Sequence, residues 1–169
     1  MRSFLLLATL AFLPAAASAD FSSFTTGPVF AEFGPVADVV TTWPVPDDAV
    51  FRHSFDVSEQ AAEGELNRTL VSAARFINMT ARAGVDPKRI EVAVVVHGKA
   101  IQDVSGEDPF SAGLVAALVE HGVNIIVCGQ TAAYYGVATN DLLPGVKMAL
   151  SAMTAHAVLQ QQGYTLNAF

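Results

Sequence analysis

Cys128 is the only cysteine of the chain, and it ends a mostly apolar run, residues 123–127, that is typical of a buried strand. A short helical pattern begins directly after it. The free N–H groups at the start of a helix stabilise an anion and lower the pKa of a cysteine thiol. The pattern therefore indicates a thiolate or perthiolate at the carboxyl end of a strand, where open α/β proteins place their chemistry. The alternative is a cysteine that only fills space in the core.

His97 occupies a similar position, because it ends the preceding apolar strand pattern, residues 90–96. If the two strands are neighbours in a parallel sheet, His97 and Cys128 open onto one crevice, and the imidazole is placed to activate the thiol. A histidine that only hydrogen-bonds a loop carbonyl is the alternative. Gly98 and Lys99 follow in the same loop, where the lysine either adds positive potential to the crevice or is simply solvated.

The residues that follow Cys128 are expected to form a small binding site. Gly129 allows close approach of another backbone, and Gln130 and Thr131 supply N–H groups at the start of the helix. Tyr134, with Tyr135 beside it, either covers a small pocket or packs in a subunit contact.

The sequence lacks the motifs of other common catalytic sites. No pair of its four histidines has the spacing of zinc ligands. Asp103, Glu107 and Asp108 lack the regular spacing of a calcium loop, and capping and solvation explain them. No serine stands in a nucleophile elbow, and no phosphate loop or dinucleotide fingerprint is present. We therefore expect no metal and no cofactor.

The elements that must position Cys128 and His97 alternate between strand and helix. Strand patterns cover residues 50–57, 90–96 and 123–128, with a last strand within 164–169, whereas residues 146–152 fit either a strand or the start of a helix. Helical patterns cover residues 59–83, 131–135 and 155–162. A further helical pattern begins with Asp108 as its cap and Pro109 at its first position. This alternation predicts a three-layer α/β/α sandwich with a mainly parallel sheet of about five strands.

The first residues of the chain have the form of a secretory signal peptide. Arg2 precedes a short apolar run, residues 4–13, and Ala17 and Ala19 match a cleavage site. The run is too short to span a bilayer as a typical helix, although an uncut anchor is the alternative. We expect cleavage after Ala19 and a periplasmic or secreted protein without further membrane association.

Residues 20–48 are rich in Pro and Gly and also carry many apolar side chains, which predicts an extended N-terminal arm packed across the domain or a neighbouring subunit. A free terminus is the alternative. The chain has 9 Lys and Arg against 16 Asp and Glu, a net charge of −7, and loss of Arg2 would make it more acidic. This charge argues against binding to nucleic acid or to anionic lipid.

Several segments together resemble the DsrE-like family (DsrE/DsrF/DsrH, sulfur relay). They are residues 95–98, 122–128, the helix that ends at Gly136 and Val137, residues 141–146, and residues 159–164. The resemblance extends from about residue 50 to the end, so residues 49–169 are interpreted as a DsrE-like domain. It implies the three-layer fold and assembly into homotrimers or homohexamers. Carriers of this family often have a basic residue where this chain has Tyr135.

The resemblance also implies a function, in which the cysteine at position 128 carries sulfur as a persulfide between partner proteins. Such an activity is that of a sulfur carrier or transferase rather than of a hydrolase or an oxidoreductase. The expected protein is thus an exported member that carries sulfur on Cys128, or senses thiol-reactive small molecules with it, with unidentified donor or acceptor proteins. The alternative is a non-catalytic oligomeric module that binds a small molecule or a protein and in which Cys128 is structural.

Overall fold

A computed structural model describes residues 20–107 and 109–167 of the protein. Its centre is a five-stranded parallel sheet, and two very short strands pair antiparallel in the N-terminal arm. The strands are β1 (Phe24–Thr25), β2 (Val36–Ala37), β3 (Phe51–Val57), β4 (Ile90–Val96), β5 (Asn124–Cys128), β6 (Lys147–Ala149) and β7 (Thr165–Leu166). The order across the main sheet is β6-β5-β4-β3-β7. Because all five strands run the same way, their carboxyl ends meet at one edge.

Helices cover both faces of this sheet. They are α1 (Arg68–Arg82), α2 (Ala112–Glu120), α3 (Gly129–Tyr135) and α4 (Ala152–Gln161). Alternate residues of β4 point to opposite faces: Val94 belongs to the core cluster of Leu70 in α1 and Leu114 in α2, whereas Val95 packs with Leu159 of α4. The predicted three-layer α/β/α sandwich is therefore confirmed, and the predicted number of strands is correct.

The helix predicted over residues 59–83 begins later than expected, at Arg68. Asn67 caps it, since the Asn67 side chain accepts hydrogen bonds from the backbone N–H groups of Thr69 and Leu70. The amide nitrogen of Asn67 also donates to the carboxylate of Asp103 at 2.7 Å. This buried pair fixes the helix start, so residues 59–67 form a loop instead.

Two further boundaries differ from the sequence patterns. Helix α2 begins at Ala112, after a turn in which the carbonyl of Pro109 accepts the Ala112 N–H at 2.8 Å, so Pro109 is not the first helical residue. Asp108, its predicted cap, lies outside the described residues. The ambiguous stretch 146–152 divides between β6 and α4, and Ser151 caps α4 by accepting the Thr154 N–H at 3.0 Å.

The first part of the N-terminal arm packs on α1. Phe30 and Val36 are buried, and the buried side chain of Asn78 in α1 accepts hydrogen bonds from the N–H groups of Val29 and Phe30 at 3.1 and 2.9 Å. The Asn78 amide donates to backbone carbonyls of the same segment. Farther along the arm, Trp43 is exposed.

The predicted signal peptide, residues 1–19, lies outside the described part of the chain, and so do residues 168–169. Among the described residues, no helix combines the length and the apolar character needed to cross a membrane.

Candidate functional site

Three polar residues lie side by side at the carboxyl edge of the sheet. The register pairs Val57 of β3 with Val96 of β4, and Val96 with Val127 of β5. Asp56 comes one residue before Val57, whereas His97 and Cys128 come one residue after Val96 and Val127, so the three lie at the ends of adjacent strands about 4.8 Å apart. Asp56 hydrogen-bonds to His156 of α4, and the Ala152 N–H at the start of α4 is near Cys128, so this site lies under that helix.

Cys128 is 6% exposed and holds the position before the first residue of α3. The Thr131 hydroxyl and the backbone N–H groups of Thr131, Ala152 and Gln130 are the donor groups around its sulfur. Burial alone would raise the pKa of the Cys128 thiol, but these donors outweigh burial and lower the pKa below its ordinary value. The donors come from the first turns of both α3 and α4, so the site favours a sulfur anion.

Gly129 allows α4 to approach Cys128 this closely. A Cβ atom at residue 129 would lie 2.6 Å from the carbonyl oxygen of Ala149 and 3.2 Å from that of Leu150. Ordinary carbon–oxygen contacts are longer, so a side chain at residue 129 would push the β6–α4 connection away. Gln130 strengthens the same contact, because its side-chain amide donates to the Leu150 carbonyl at 3.3 Å.

The imidazole of His97 faces Asp56. His97 Nε2 lies 3.0 Å from Asp56 Oδ2, and this contact replaces the loop-carbonyl contact that the sequence left open. The next residue, Gly98, donates its N–H to the Thr131 hydroxyl at 3.3 Å. His97 is therefore joined to the Cys128 site through its neighbour, and direct activation of the thiol by its imidazole stays a prediction.

The other predicted residues divide into two groups. Gln130 and Thr131 provide donor groups around the sulfur, as described above. Lys99 is exposed, and no ion pair to it occurs within residues 20–107 and 109–167. Tyr134 is 83% exposed and packs edge-on against Tyr135, with 5.0 Å between ring centroids. Lys99 and Tyr134 therefore lie at the surface rather than in contact with the sulfur.

Comparison with known protein families identifies the fold that carries this site. The DsrE/DsrF-like family matches residues 53–168, which is most of the chain. The chain belongs to the DsrE/DsrF-like family. The matched residues include the whole sheet edge from Asp56 to Cys128 and all of α4.

Solved structures agree with this assignment at the level of the fold. The protein of unknown function MTH1491 from Methanobacterium thermoautotrophicum is similar over 69% of this chain and 97% of its own, with 21% identity and a TM-score of 0.56. The ychN protein from E. coli is similar over 70% of this chain and 100% of its own, with 12% identity and a TM-score of 0.52. A search of curated proteins found no match.

Two residues of this DsrE/DsrF-like site were not predicted from the sequence. Asp56 accepts hydrogen bonds from two imidazoles, because His156 Nε2 of α4 lies 2.7 Å from Asp56 Oδ1 while His97 contacts the other oxygen. Partial burial raises the pKa of Asp56, but the bonds from His156 and His97 outweigh it and lower the pKa. The sequence signal that could have identified Asp56 is its acidic side chain between Phe55 and Val57, both buried.

The site does not have the geometry of a metal centre. Among the described residues, no group of three or more His, Cys, Asp or Glu side chains is placed to hold an ion. The two imidazoles instead point their Nε2 atoms at separate oxygens of one carboxylate.

Proposed function

We propose that this DsrE/DsrF-like protein carries sulfur as a persulfide on Cys128. The observation that carries the proposal is the buried position of the Cys128 sulfur at the start of two helices, with four donor groups around it that lower the pKa of the thiol. A thiolate is the reactive form of cysteine, and a perthiolate is likewise an anion that N–H donors stabilise. The family supports the same role, since membership suggests a function related to sulfur relay.

The loading step is a thiolate exchange. The Cys128 thiolate attacks the outer sulfur of a donor persulfide, R–S–SH, a new S–S bond forms at Cys128, and the donor S–S bond breaks. The donor leaves as the thiolate R–S⁻, and Cys128 becomes Cys–S–SH. An acceptor thiolate then attacks the outer sulfur of the Cys128 persulfide. The acceptor becomes the persulfide, and Cys128 leaves as a thiolate. Atoms and electrons balance at each step, so neither an added oxidant nor a metal is needed.

The surface around Cys128 supports contact with other proteins during this exchange. Tyr134, Leu150 and Met153 are large apolar side chains, all largely exposed, and they belong to α3, α4 and the connection before α4. Exposed apolar patches of this kind mark interaction surfaces. We infer that donor or acceptor proteins, or further copies of this chain in a trimer or hexamer, dock there.

The proposed place of action is outside the cytoplasm, in the periplasm or the medium. This part of the proposal rests on the signal-like residues 1–19, with cleavage after Ala19. Fractionation of cells that express the full chain, followed by N-terminal sequencing, should find a protein that begins at Asp20 outside the cytoplasm. Full-length protein confined to the cytoplasm would contradict it.

Mass spectrometry of the intact protein tests sulfur carriage. After incubation with inorganic polysulfide and removal of excess reagent, the wild type should gain whole sulfur atoms, and a reductant should remove them. Cys128→Ser is the matched control and should gain none. A wild-type protein that stays unmodified, and whose thiol is alkylated only after unfolding, would exclude the proposal and favour a structural cysteine in a binding module.

A further inference from the structure

We propose that Asp56 is the positioning residue of the Cys128 site, because it holds both sets of donors to the sulfur in place through two histidines. This inference rests on the proposed function, in which the Cys128 thiolate is the reactive group. Asp56 does not contact the sulfur itself. It contacts one imidazole from β4 and one from α4, and each of these histidines is linked to a different donor.

The first link runs through β4 and its loop. Asp56 Oδ2 holds His97 at 3.0 Å, and the adjacent Gly98 donates its N–H to the Thr131 hydroxyl at 3.3 Å. That hydroxyl is one of the donor groups around the sulfur of Cys128. The position of His97 thus sets the position of the Gly98 N–H, and this N–H holds the hydroxyl oxygen of Thr131 in place.

The second link runs through α4. Asp56 Oδ1 holds His156 at 2.7 Å, and His156 lies about one helical turn after Ala152. The N–H of Ala152 is another of the donor groups around the sulfur. Since a helix moves as a rigid segment over one turn, the contact between His156 and Asp56 sets how closely the start of α4 approaches Cys128.

The surroundings of His156 show that its contact with Asp56 is not incidental. The His156 side chain is only 15% exposed, and its Nδ1 atom is buried without a hydrogen-bond partner among the described residues. An unsatisfied buried nitrogen destabilises the fold, and an apolar side chain would avoid this cost. A histidine at this position is explained by the bond that its other nitrogen makes to Asp56.

The substitution Asp56→Asn tests the inference with little change of shape. An amide is neutral and offers one acceptor oxygen where the carboxylate offers two, so both imidazoles lose their charged partner and one of them also loses its acceptor. We expect the pKa of the Cys128 thiol to rise. The rate of alkylation by iodoacetamide at neutral pH should fall about threefold to tenfold, because alkylation follows the fraction of thiolate. Asp48→Asn, at an exposed arm position, is the matched control.

The pH profile of alkylation separates positioning from simple loss of structure. If Asp56 positions the donors, Asp56→Asn should shift the midpoint of the profile to higher pH and leave the plateau at high pH near that of the wild type. A plateau lowered at every pH, or a midpoint equal to that of the wild type, would overturn the inference. If Asp56→Asn does not fold by circular dichroism, His97→Leu and His156→Leu each remove one link, and both should shift the midpoint upward.

Alkylation does not depend on sulfur carriage, so the two proposals fail separately. A wild type that takes up polysulfide sulfur, together with an unshifted Asp56→Asn profile, would refute positioning and leave carriage intact. A shifted profile in a protein that never takes up sulfur would refute carriage only.

Discussion

The backbone N–H of Ala152, the first residue of α4, lies near the sulfur of Cys128, the last residue of β5, and helps to lower the pKa of that thiol. This contact joins the layer that covers one face of the sheet to the reactive atom at its edge. Changes that displace α4 should therefore change the chemistry of the thiol, even where they do not touch it.

Gly129→Ala should displace α4. The new Cβ would lie 2.6 Å from the Ala149 carbonyl oxygen, and backbone must move to relieve the overlap. We expect a loss of roughly 1–3 kcal/mol in the free energy of unfolding and slower alkylation at neutral pH. Gly113→Ala is the control, since its Cβ would meet only Phe33 at 3.9 Å in an exposed helical position. That variant should be as stable as the wild type or about 0.5–1 kcal/mol more stable. Equal stability of both variants in urea titrations would contradict the expectation.

Thr131→Val should raise the pKa of the Cys128 thiol. Valine has nearly the shape of threonine but lacks the hydroxyl that lowers the pKa of the thiol and accepts the Gly98 N–H. A lost hydrogen bond to a charged group lowers the thiolate fraction near neutral pH, and alkylation should slow by about threefold to tenfold. Thr131→Ser keeps the hydroxyl and should alkylate at close to the wild-type rate. Equal alkylation rates for Thr131→Val and Thr131→Ser would contradict this expectation.

The contribution of Asp56 to stability should depend on pH in a defined direction. The folded protein lowers the pKa of Asp56 below its ordinary value of 3.8. The ionised carboxylate therefore stabilises the fold at pH values above about 4, and this contribution is lost as the pH falls through the lowered pKa. Urea unfolding of wild type and Asp56→Asn from pH 6 to pH 3 should show a difference that shrinks toward acid. A difference in the free energy of unfolding that grows toward acid would contradict the expected direction.

Asn78→Ala should release the N-terminal arm from α1. The substitution leaves the buried N–H of Phe30 and the partly buried N–H of Val29 without their acceptor, and it opens space beside Gly27, which lies close to the Asn78 side chain. We expect a loss of about 2–4 kcal/mol in the free energy of unfolding and rapid proteolysis within residues 20–48. Asn140→Ala, at an exposed loop position, serves as control. Unchanged protease resistance in Asn78→Ala would exclude this role for the side chain.

The sequence was sufficient to predict β4, β5 and the place of Cys128, because apolar runs followed within two residues by glycine mark buried parallel strands clearly. It left β6 open between a strand and the start of a helix. It was not sufficient for the start of α1, since the capping by Asn67 depends on a buried contact with Asp103, distant in the chain. Boundaries fixed by such tertiary contacts leave little trace in local periodicity.

The same limit applies to the site. Gln130 and Thr131 were predicted because they follow Cys128 directly, and their position in the first turn of α3 keeps them near its sulfur. Asp56 and His156 were missed because they lie a hundred residues apart and meet only when α4 folds over β3. Lys99 was placed in the site on its proximity to His97 in sequence, yet its side chain lies at the surface.

The shared use of α4 by the hydrophobic core and by the sulfur has a thermodynamic consequence. Ala155 and Leu159 of this helix pack against one face of the sheet, whereas the N–H of its first residue, Ala152, stabilises the thiolate. A lowered thiol pKa means that the charged sulfur stabilises the folded chain, by the same linkage that couples any bound proton to folding. Alkylation, which removes that charge, should lower the melting temperature at pH values where the unmodified thiol is ionised. Thermal melting then becomes a readout of whether Cys128 is free, charged or covalently occupied.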